Sequence, residues 1–598
     1  MPLTHSQKKY LKKNLKRSSL AKIAADLNIS EKEILEFLKS HWRKEKYQKF
    51  LAKQKRLRSK KAPQLVARQR PRLLRGETLA QNWKIFVFLA FLVFAVYFNS
   101  LGNDFVSDDI SAIRDNPDIG KISYLGYFKF NLRSLIIFLT HKIFGLKPAF
   151  YRLSNILFHL GSSWIIYLLI SFFFSSLVSL ITASIFAVHP ILTESVTWIS
   201  GGTYSHPTFF VLLSLLTYIW SMKKNVKLYL ISVSLFFLAL LGSQKLIVFP
   251  IVLFLYEFCF GKLKTNWQKL IPFWVISGFW TLNLINLLGT RTTVLETVHY
   301  QEPGLHNPLI QIPIAITSYL ELIFWPKNLT LYHSEMMFSQ LEYFLKLVVF
   351  ILFLGTIAYF FKKDRRIFFW LSFFLITLLP TLTPFKISWV VAERYVYLGT
   401  LGIFVLVALA IQKIAEVSKN QKVAYILLAI ILFALSTRTI IRNADWKNQD
   451  TLWLATAKTS PSSPQNHNNL GDLYARHGDL EKAVKEFKIA IALKPNYGDA
   501  YHNLANTYHQ LGKNDLAIEN YQKALSFNPN LWQSYQNLAA IYFEQEKFNL
   551  ARQELEKAIN VNPQNANLYT NLGIVYLRLG EKQKAKEAFQ KAQNVLTP

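Results

Sequence analysis

The sequence is poor in cysteine, because only Cys259 among its 598 residues is of this type. A single cysteine cannot form a disulfide within the chain, and it cannot supply the set of thiolates that a structural zinc site needs. Cys259 lies inside an apolar run, where a thiol behaves as a small core residue. The sequence therefore excludes a disulfide scaffold and a cysteine-based metal site.

Acidic residues are also scarce, with 36 Asp and Glu against 69 Lys and Arg. The imbalance is steepest in residues 1–82, which contain 23 Lys and Arg and 6 Asp and Glu. Such a segment favours nucleic acid or an anionic membrane surface. Because an apolar run starts near Trp83, the positive-inside rule favours a cytoplasmic segment, and nucleic acid is not an expected partner. The run starts too late for a cleavable signal peptide, so we expect it to be an anchor.

Residues 1–82 also contain a helix-turn-helix pattern of low specificity. Leu20, Ile23 and Leu27 fall at helical spacing, and Ser30 with Glu33 forms a capping box ahead of a second apolar face. The outline could suit DNA, but the favoured interpretation is a short helical hairpin with basic flanks. We predict a small basic cytoplasmic segment containing such a hairpin.

Long apolar runs dominate the middle of a chain in which 51% of the residues are apolar. About 20 apolar residues cross the roughly 30 Å core of a bilayer as a helix. The runs lack the two-residue alternation of barrel strands, so residues 83–445 are predicted to form an all-α membrane bundle. The predicted runs are 83–101, 150–175, 177–190, 204–221, 226–242, 246–260, 268–288, 309–325, 342–361, 367–384, 391–411 and 423–441.

Basic loops between the runs predict which side of the membrane each loop occupies. The candidate inside loops contain Lys223, Lys224 and Lys227; Lys262, Lys264 and Lys269; Lys362, Lys363, Arg365 and Arg366; and Lys413, Lys419 and Lys422. Three runs separate the second and third loops, but two inside loops need an even number of crossings. The weakest run, 309–325, contains Pro313 and Glu321, and we expect it to be re-entrant or interfacial. About 11 spans remain, and residues after Arg442 emerge outside.

A 34-residue repeat follows from about residue 464. Gly478, Gly512 and Gly580 share its register, with Glu546 in the third repeat. The other repeated positions are Pro461, Pro495, Pro529 and Pro563; Leu470, Leu504, Leu538 and Leu572; Tyr474, Tyr508, Tyr542 and Tyr576; and Ala490, Ala524, Ala558 and Ala592. This pattern is typical of tetratricopeptide repeats, which stack into a solenoid with a concave binding face. We predict that 446–598 is an extracytoplasmic domain of four repeats that binds a protein acceptor or partner.

Polar residues at the predicted outer ends of the runs form the candidate site. Asp108 and Asp109 follow the first span, and adjacent carboxylates can act as a base, hold a metal ion or simply be solvated. No metal is assigned, although a divalent ion stays open. The residues expected to line the site are Asn155, His159, His189, Glu194 and Glu393, and those expected to bind an anionic phosphate are Arg133, Lys245 and Arg394.

In these features the chain resembles the transmembrane and tetratricopeptide-repeat-containing O-mannosyltransferase family, within the GT-C class of membrane glycosyltransferases. The resemblance covers about residues 83–598. It rests on an ordered set of segments: Phe105-Val-Ser-Asp-Asp-Ile110, Asn155-Ile-Leu-Phe-His159, His189-Pro-Ile-Leu-Thr-Glu194, Tyr319-Leu-Glu-Leu-Ile-Phe-Trp-Pro326, Ala392-Glu-Arg-Tyr395 and Arg442-Asn-Ala-Asp-Trp446.

The resemblance implies an inverting transferase that moves a sugar, mannose by this likeness, from a polyprenyl-phosphate donor to a hydroxyl group on the extracytoplasmic face. Asp108 or Asp109 would be the catalytic base, and Arg394 with Lys245 or Arg133 would stabilise the leaving phosphate. The lipid-linked sugar is the implied donor, and no further cofactor is implied. The expected location is the plasma membrane of a prokaryote, with the N-terminus cytoplasmic.

Two other classes of function stay open. A non-catalytic membrane scaffold would use the repeats to recruit partners and would tolerate the loss of Asp108 and Asp109. An O-antigen-ligase-like transferase would concentrate its chemistry in a large late loop, and a transporter would more often contain an internal repeat among its spans. The late loops are short and the spans contain no evident repeat, so the sequence favours the glycosyltransferase.

Overall fold

The computed structural model describes residues 11, 15, 24, 27, 29, 31–42, 45, 47, 48, 50, 77–127, 131–222, 225–298, 307–382 and 389–596. The chain divides into two compact units, Met1–Gln81 and Asn82–Pro598. All regular secondary structure in the described residues is helical, as predicted. In the first unit, helix α1 (Glu31–His41) buries Ile34 and Leu38 in a small core. Leu20, Ile23 and Ser30, on which the hairpin prediction rests, lie outside the described residues.

The bundle contains at least one helix in each of the twelve predicted apolar runs. Its helices are α2 (Glu77–Tyr97), α3 (Ser123–Tyr127), α4 (Leu132–Phe144), α5 (Pro148–Ile170), α6 (Ser176–Val188), α7 (Thr193–Thr197), α8 (Gly202–Ser221), α9 (Val226–Gly242), α10 (Phe249–Cys259), α11 (Leu263–Asn266), α12 (Ile271–Val298), α13 (Pro308–Phe324), α14 (Gln340–Lys363), α15 (Arg365–Leu378), α16 (Thr400–Val417) and α17 (Gln421–Asp445). Residues 223 and 224 of the first predicted inside loop lie outside the described residues.

Five of the described helices are long and apolar enough to cross a membrane. These candidate spans are Asn82–Gly102, Pro148–Ile170, Gln340–Lys363, Thr400–Val417 and Gln421–Asp445. A sixth would be Ser176–Val188 joined to Pro190–Thr197, two pieces that bend by 52°. The helices therefore support a membrane protein, but the predicted 11 spans are not confirmed by length and composition.

Helix α13, in the run predicted to be re-entrant or interfacial, lies across α14. The Tyr343 hydroxyl donates to the Leu309 carbonyl oxygen (3.0 Å), and Lys346 pairs with Glu321 (3.5 Å). Leu309 and Glu321 are about 18 Å apart along a helix, whereas Tyr343 and Lys346 are less than one turn apart. The first turns of α14 thus contact both ends of α13, and the re-entrant or interfacial placement of this run stays a prediction.

The C-terminal region forms a linking helix, α18 (Gln449–Thr459), and four helix pairs with the predicted 34-residue period. The paired helices are α19 (Pro464–Arg476), α20 (Leu480–Leu493), α21 (Gly498–Gln510), α22 (Asn514–Phe527), α23 (Trp532–Glu544), α24 (Phe548–Val561), α25 (Ala566–Arg578) and α26 (Lys582–Leu596). Gly478, Gly512 and Gly580 turn the chain within their pairs at φ of +80°, +71° and +78°. Glu546 adopts φ of +57° at the equivalent position, where a side chain is strained.

The repeat region packs directly on one end of the bundle. Trp446, Trp453 and Leu470 share an apolar cluster with Val106 and Trp198 of the bundle. A main-chain hydrogen bond from Asp104 to Lys447 (2.8 Å) ties the segment after α2 to the start of the repeat region. The predicted catalytic loop and the repeats therefore lie at the same end of the molecule.

Candidate active site

The first loop, residues 103–131, is fastened to the bundle by Arg152 of α5. The buried guanidinium donates from Nε to the Thr197 carbonyl oxygen (2.7 Å) and from Nη1 and Nη2 to the carbonyl oxygens of Asn103 and Asp104 (2.8 and 3.0 Å). Three acceptors offset much of the cost of burying this cation. The chain is thereby fixed a few residues before the two predicted catalytic carboxylates.

Asp109 is completely buried against the segment that follows α7. Its Oδ1 accepts hydrogen bonds from the main-chain nitrogen (2.8 Å) and the hydroxyl (2.5 Å) of Ser200, and its Oδ2 accepts one from the Val106 nitrogen (3.5 Å). Ser107 turns the chain at φ of +53°, two residues before this carboxylate. Both carboxylate oxygens are thus engaged by the protein.

Arg133, in the first turn of α4, binds the same serine that holds Asp109. Asn131 caps α4 by accepting from the Ser134 nitrogen (2.7 Å), and Arg133 Nη2 donates to the Ser200 hydroxyl (2.7 Å). Ser200 therefore links the guanidinium to Asp109. Burial raises the pKa of the Asp109 carboxyl to about 6, against the opposing effects of Ser200 and of the charges on Arg133 and Arg152.

Asp108 is exposed, in contrast to its neighbour, and lies close enough to Tyr332 for its charge to act on that hydroxyl. Burial, together with the negative charge of Asp108, raises the pKa of the Tyr332 hydroxyl to about 12, while a hydrogen bond from Asn469 of α19 opposes the shift. The Tyr332 ring stacks on Trp453, with 6.2 Å between the ring centroids. Asp108 thus borders the junction between the bundle and the first repeat.

Glu194 and Arg394 form a buried ion pair next to this loop. Arg394 donates to Glu194 from Nη1 and from its main-chain nitrogen, the latter over 2.9 Å. The guanidinium lies over the Trp198 ring, 5.9 Å from its centroid. Glu194 and Ser200 belong to one short segment, so residues 194–200 hold both Arg394 and Asp109. The segment joins a cationic centre to the carboxylate loop.

Arg394 also lines a cleft of about 640 Å³, including its open mouth, between α8, α10 and α15. Most of the wall is apolar and consists of Pro207, Val211, Leu212, Leu215, Leu246, Val248, Phe249, Val252, Phe373 and Leu398. Lys245 provides a second cation in the lining: its Nζ lies 3.4 Å from the Tyr395 ring centroid and 3.3 Å from the Tyr204 hydroxyl. The cleft combines an apolar wall with two cationic side chains.

Three of the predicted lining residues bond to parts of the bundle and do not line this cleft. Asn155 donates to the carbonyl oxygens of Val196, Trp198 and Ile199. His159 contacts the Tyr397 hydroxyl (2.6 Å) and the Ala187 carbonyl oxygen, and His189 contacts the Ile323 carbonyl oxygen (2.9 Å). These side chains hold the segments that carry Glu194 and Ser200.

Glu393 lies in a separate buried cluster, directly before Arg394 in the chain. It accepts from the Thr330 nitrogen (2.5 Å) and pairs with Arg442 of α17 (3.4 Å), which also binds Asp445 (2.9 Å). A carboxylate buried this deeply requires such partners. Glu393 thus connects the loop after α13 to the end of the last bundle helix.

Sequence reasoning missed Arg152 and the role of Ser200. An arginine inside the apolar run 150–175 is a signal that could have been used, because a buried cation must find acceptors. Ser200 gave no such signal, since its partners come from α4 and the first loop.

Within the described residues, no three His, Cys, Asp or Glu side chains are grouped closely enough to hold a metal ion.

Comparison with known proteins agrees with both halves of this architecture. Tetratricopeptide-repeat family models match residues 471–512 and 539–580, and further such models match 498–531, 520–553 and 566–595. The protein O-mannosyl-transferase TMTC3 of Mus musculus is 26% identical over 71% of this chain and 52% of its own length. The chain is related to the TMTC protein O-mannosyl-transferases. The resemblance predicted from the sequence is thereby confirmed.

Two other relatives extend the comparison with the TMTC proteins. The protein O-mannosyl-transferase F38B6.6 of Caenorhabditis elegans is 25% identical over 67% of this chain and 61% of its own length. Tmtc2 of Drosophila melanogaster is 35% identical, but over 22% of this chain and 14% of its own. The chain spans about half the length of the first curated relatives it matches. The crystal structure of MamA covers 24% of this chain and 85% of its own at 23% identity and a TM-score of 0.23, which is too low to carry an argument.

Proposed function

We propose that the chain is a membrane mannosyltransferase that moves mannose from a polyprenyl-phosphate donor to hydroxyl groups of a protein. Its TMTC relatives are named protein O-mannosyl-transferases, which supports the reaction class. The cleft between α8, α10 and α15 supports a polyprenyl-phosphate donor, because it has an apolar wall and the cations Lys245 and Arg394. The reaction takes place on the extracytoplasmic face of the membrane, which we assign to the plasma membrane of a prokaryote.

The chemistry of the cleft matches an amphipathic ligand with one anionic end. A polyprenyl chain needs an apolar surface next to the bilayer, and its phosphate needs cationic hydrogen-bond donors. Arg394 retains its bond to Glu194 while lining the cleft, so its orientation is fixed before the ligand arrives. Lys245, held over the Tyr395 ring, adds a second positive charge to the phosphate site.

Asp108 is the catalytic base in this proposal. A base must come within about 3 Å of the acceptor hydroxyl, and Asp108 is exposed whereas both oxygens of the buried Asp109 are engaged by protein donors. Asp108 takes the hydroxyl proton as the hydroxyl oxygen bonds to the anomeric carbon. The bond from that carbon to the phosphate oxygen breaks, and the polyprenyl phosphate leaves as an anion. Attack opposite to the leaving group inverts the configuration.

Asp109 is a positioning residue for the same step. Its contacts with Ser200 and, through Ser200, with Arg133 hold the first loop against residues 194–200, where Arg394 is also held. The distance between the base and the leaving-group cations therefore depends on Asp109, although this carboxylate does not itself touch the acceptor. Correct placement of this kind contributes a large share of a catalysed rate.

The test is transfer of radiolabelled mannose from polyprenyl-phosphate mannose to protein by the solubilised full chain. Asp108→Asn should lower kcat by about 10²-fold or more, because it preserves size and removes the base. Asp115→Asn is the matched control, since Asp115 is exposed in the same loop and pairs with Arg114. Lys245→Met should raise the KM for the donor more than it lowers kcat. Normal transfer by Asp108→Asn would refute the proposed site.

A further inference from the structure

Tyr204 has its hydroxyl between the two cations of the cleft. Lys245 donates to this hydroxyl over 3.3 Å, and its ammonium lies 4.8 Å from the centroid of the Tyr204 ring. The guanidinium of Arg394 bonds to the same side chain. The ring centroids of Tyr204 and Tyr395 are 6.2 Å apart, and Lys245 contacts both rings. The hydroxyl therefore belongs to the polar part of the cleft lining.

The backbone of Tyr204 is fixed by the same segment that holds Arg394. The Tyr204 nitrogen donates to the Gly201 carbonyl oxygen (2.9 Å) at the start of α8. A Cβ on Gly201 would lie 2.2 Å from the Glu194 carbonyl oxygen, so this close packing of the chain requires glycine. Glu194 in turn pairs with Arg394. Residues 194–201 thus position Tyr204 and Arg394 relative to each other.

The two cations use the lone pairs of the Tyr204 hydroxyl and leave its proton for another acceptor. A phenol can accept and donate, whereas ammonium and guanidinium groups only donate. In the part of the chain that the structure describes, the polar partners of this hydroxyl are Lys245 and Arg394. Donation by charged groups also polarises the O–H bond, which makes the phenol a stronger donor. The hydroxyl is therefore suited to an anionic acceptor in the cleft.

Tyr204 lies on the side of the cleft that is nearest to the first loop. Ser200, which binds Asp109, is one helical turn before Tyr204, and its carbonyl oxygen accepts from the Thr203 nitrogen (3.4 Å). The sugar must lie between the base Asp108 and the lipid phosphate in the proposed reaction. The phosphate oxygen that is bonded to the sugar therefore faces the Tyr204 side of the cleft.

We propose that the Tyr204 hydroxyl donates a hydrogen bond to the phosphate oxygen that leaves the sugar. This role rests on the proposed function. When the bond from the anomeric carbon breaks, its electron pair stays on that oxygen, and the phosphate changes from a monoanion to a dianion. The bond from Tyr204 strengthens as this charge develops, so it lowers the barrier more than it tightens donor binding. No proton is transferred in this contact.

Binding of two lipids tests which oxygen Tyr204 contacts. Polyprenyl phosphate is the dianionic leaving group, and polyprenyl methyl phosphate is a monoanion with a methyl group in place of the sugar. Tyr204→Phe should weaken binding of the first lipid about tenfold and of the second by less than about twofold, because only the first carries charge on the contacted oxygen. Tritium-labelled lipids and the solubilised full chain suffice, since neither sugar nor acceptor is needed.

The matched control for this binding test is Tyr229→Phe. It removes a hydroxyl that donates to the Lys269 carbonyl oxygen (3.0 Å) outside the cleft, and it should bind both lipids like the wild type. Thermal unfolding of both variants checks that the bundle remains folded. Equal weakening of both lipids in Tyr204→Phe would overturn the contact with the leaving oxygen, as would unchanged binding of polyprenyl phosphate.

Single-turnover transfer gives a second readout, because it excludes product release from the measured rate. Tyr204→Phe should lower the single-turnover rate constant for mannose transfer about tenfold and change the affinity for the donor by less than about threefold. Lys245→Met should have the larger effect on donor affinity, because its ammonium acts on charge that the donor already carries. A normal rate constant in Tyr204→Phe would overturn the proposal.

Failure of this role and failure of the proposed function give different results. If the wild type transfers mannose and Tyr204→Phe behaves like Tyr229→Phe, the transferase stands and the role of Tyr204 is refuted. If the wild type binds polyprenyl phosphate through Tyr204 but transfers no mannose, the transferase is refuted and the cleft remains a lipid-phosphate site. A wild type that binds neither lipid would refute both.

Discussion

At the scale of single residues, the two adjacent carboxylates of the first loop differ because one is buried and the other is not. Burial raises the pKa of Asp109 from its ordinary 3.8 to about 6, although Ser200, Arg133 and Arg152 favour its charged form. A pKa raised in the folded state means that ionisation costs stability. The contribution of Asp109 to the free energy of unfolding therefore falls as the pH rises from about 4 to about 6.

This pKa predicts a limb near pH 6 in the pH profile of mannose transfer. Because burial in the docked loop raises the pKa of Asp109, the protonated carboxyl favours the docked loop and its ionisation disfavours it, so the rate should fall as the pH increases through 6. Initial rates between pH 5 and pH 8 measure the limb in the wild type and in Asp109→Asn. The variant has no group that ionises at this position and should lack this limb. An unaltered limb in Asp109→Asn would assign the titration to another group.

Glu546 occupies a position that favours glycine. Its φ of +57° matches those of Gly478, Gly512 and Gly580, and a left-handed conformation costs a residue with a side chain about 1–2 kcal/mol. Glu546→Gly should stabilise the third repeat by less than about 1 kcal/mol, because the extra freedom of glycine in the unfolded chain offsets part of the gain. Hydrogen exchange in α23 and α24 measures the change. Gly512→Ala is the converse control and should destabilise α21 and α22.

At the scale of elements, each repeat packs its two helices through a small residue that faces a large one. A Cβ on Gly471 would lie 2.5 Å from the Phe487 ring, and one on Gly573 would lie 2.7 Å from the Phe589 ring. The second and third repeats pair alanine with a different residue at the same spacing, namely Ala505 with Tyr521 and Ala539 with Leu555. Glycine thus occurs where the opposite residue is phenylalanine.

This pairing predicts that a second substitution in α20 can recover the stability lost by a substitution in α19. Gly471→Ala should destabilise the first repeat by about 1–3 kcal/mol through overpacking against Phe487, reduced by the better helix propensity of alanine. Adding Phe487→Leu reproduces the Ala539 and Leu555 pair of the third repeat and should recover much of the loss. Hydrogen exchange in α19 and α20 reports both changes. A double variant no more stable than Gly471→Ala would contradict the pairing.

The elements were largely predictable from the sequence because they depend on local patterns. Apolar runs and a 34-residue period determine helices without knowledge of their neighbours, so every predicted run contains a helix and all four repeats are present. Helix α4 was missed because it lies in a loop and is too short to span a membrane. It carries Arg133, so the contact of Arg133 with Ser200 could not be predicted either.

The structure brings some of the predicted site residues together, but their contacts could not be read from the sequence. Arg394 and Lys245 line one cleft, and Asp109 lies near them through residues 194–200. Asn155, His159 and His189 bond to carbonyl oxygens of packed segments. Polarity within an apolar run indicates that a side chain needs partners, but it does not say whether those partners belong to the protein or to a ligand.

At the scale of the whole molecule, the bundle has two chemically distinct ends. The repeats, the first loop and the Glu194–Arg394 pair lie together, and α17 leads to that end from a turn containing Lys419. The 25 residues of α17 extend for about 37 Å, which exceeds the roughly 30 Å core of a bilayer. Lys419 and the repeats should therefore lie on opposite sides of the membrane.

Cysteine labelling tests this arrangement, because Cys259 is the one native cysteine and Cys259→Ser provides a background without thiols. In intact cells an impermeant maleimide should label Asn530→Cys in the repeats and Asp115→Cys in the first loop. It should label Lys419→Cys only after the membrane is opened, since basic loops remain cytoplasmic. Labelling of Lys419→Cys alone would invert the orientation and move the reaction to the cytoplasmic face. Different accessibility of Asn530→Cys and Asp115→Cys would contradict the placement of the repeats and the first loop at the same end of the bundle.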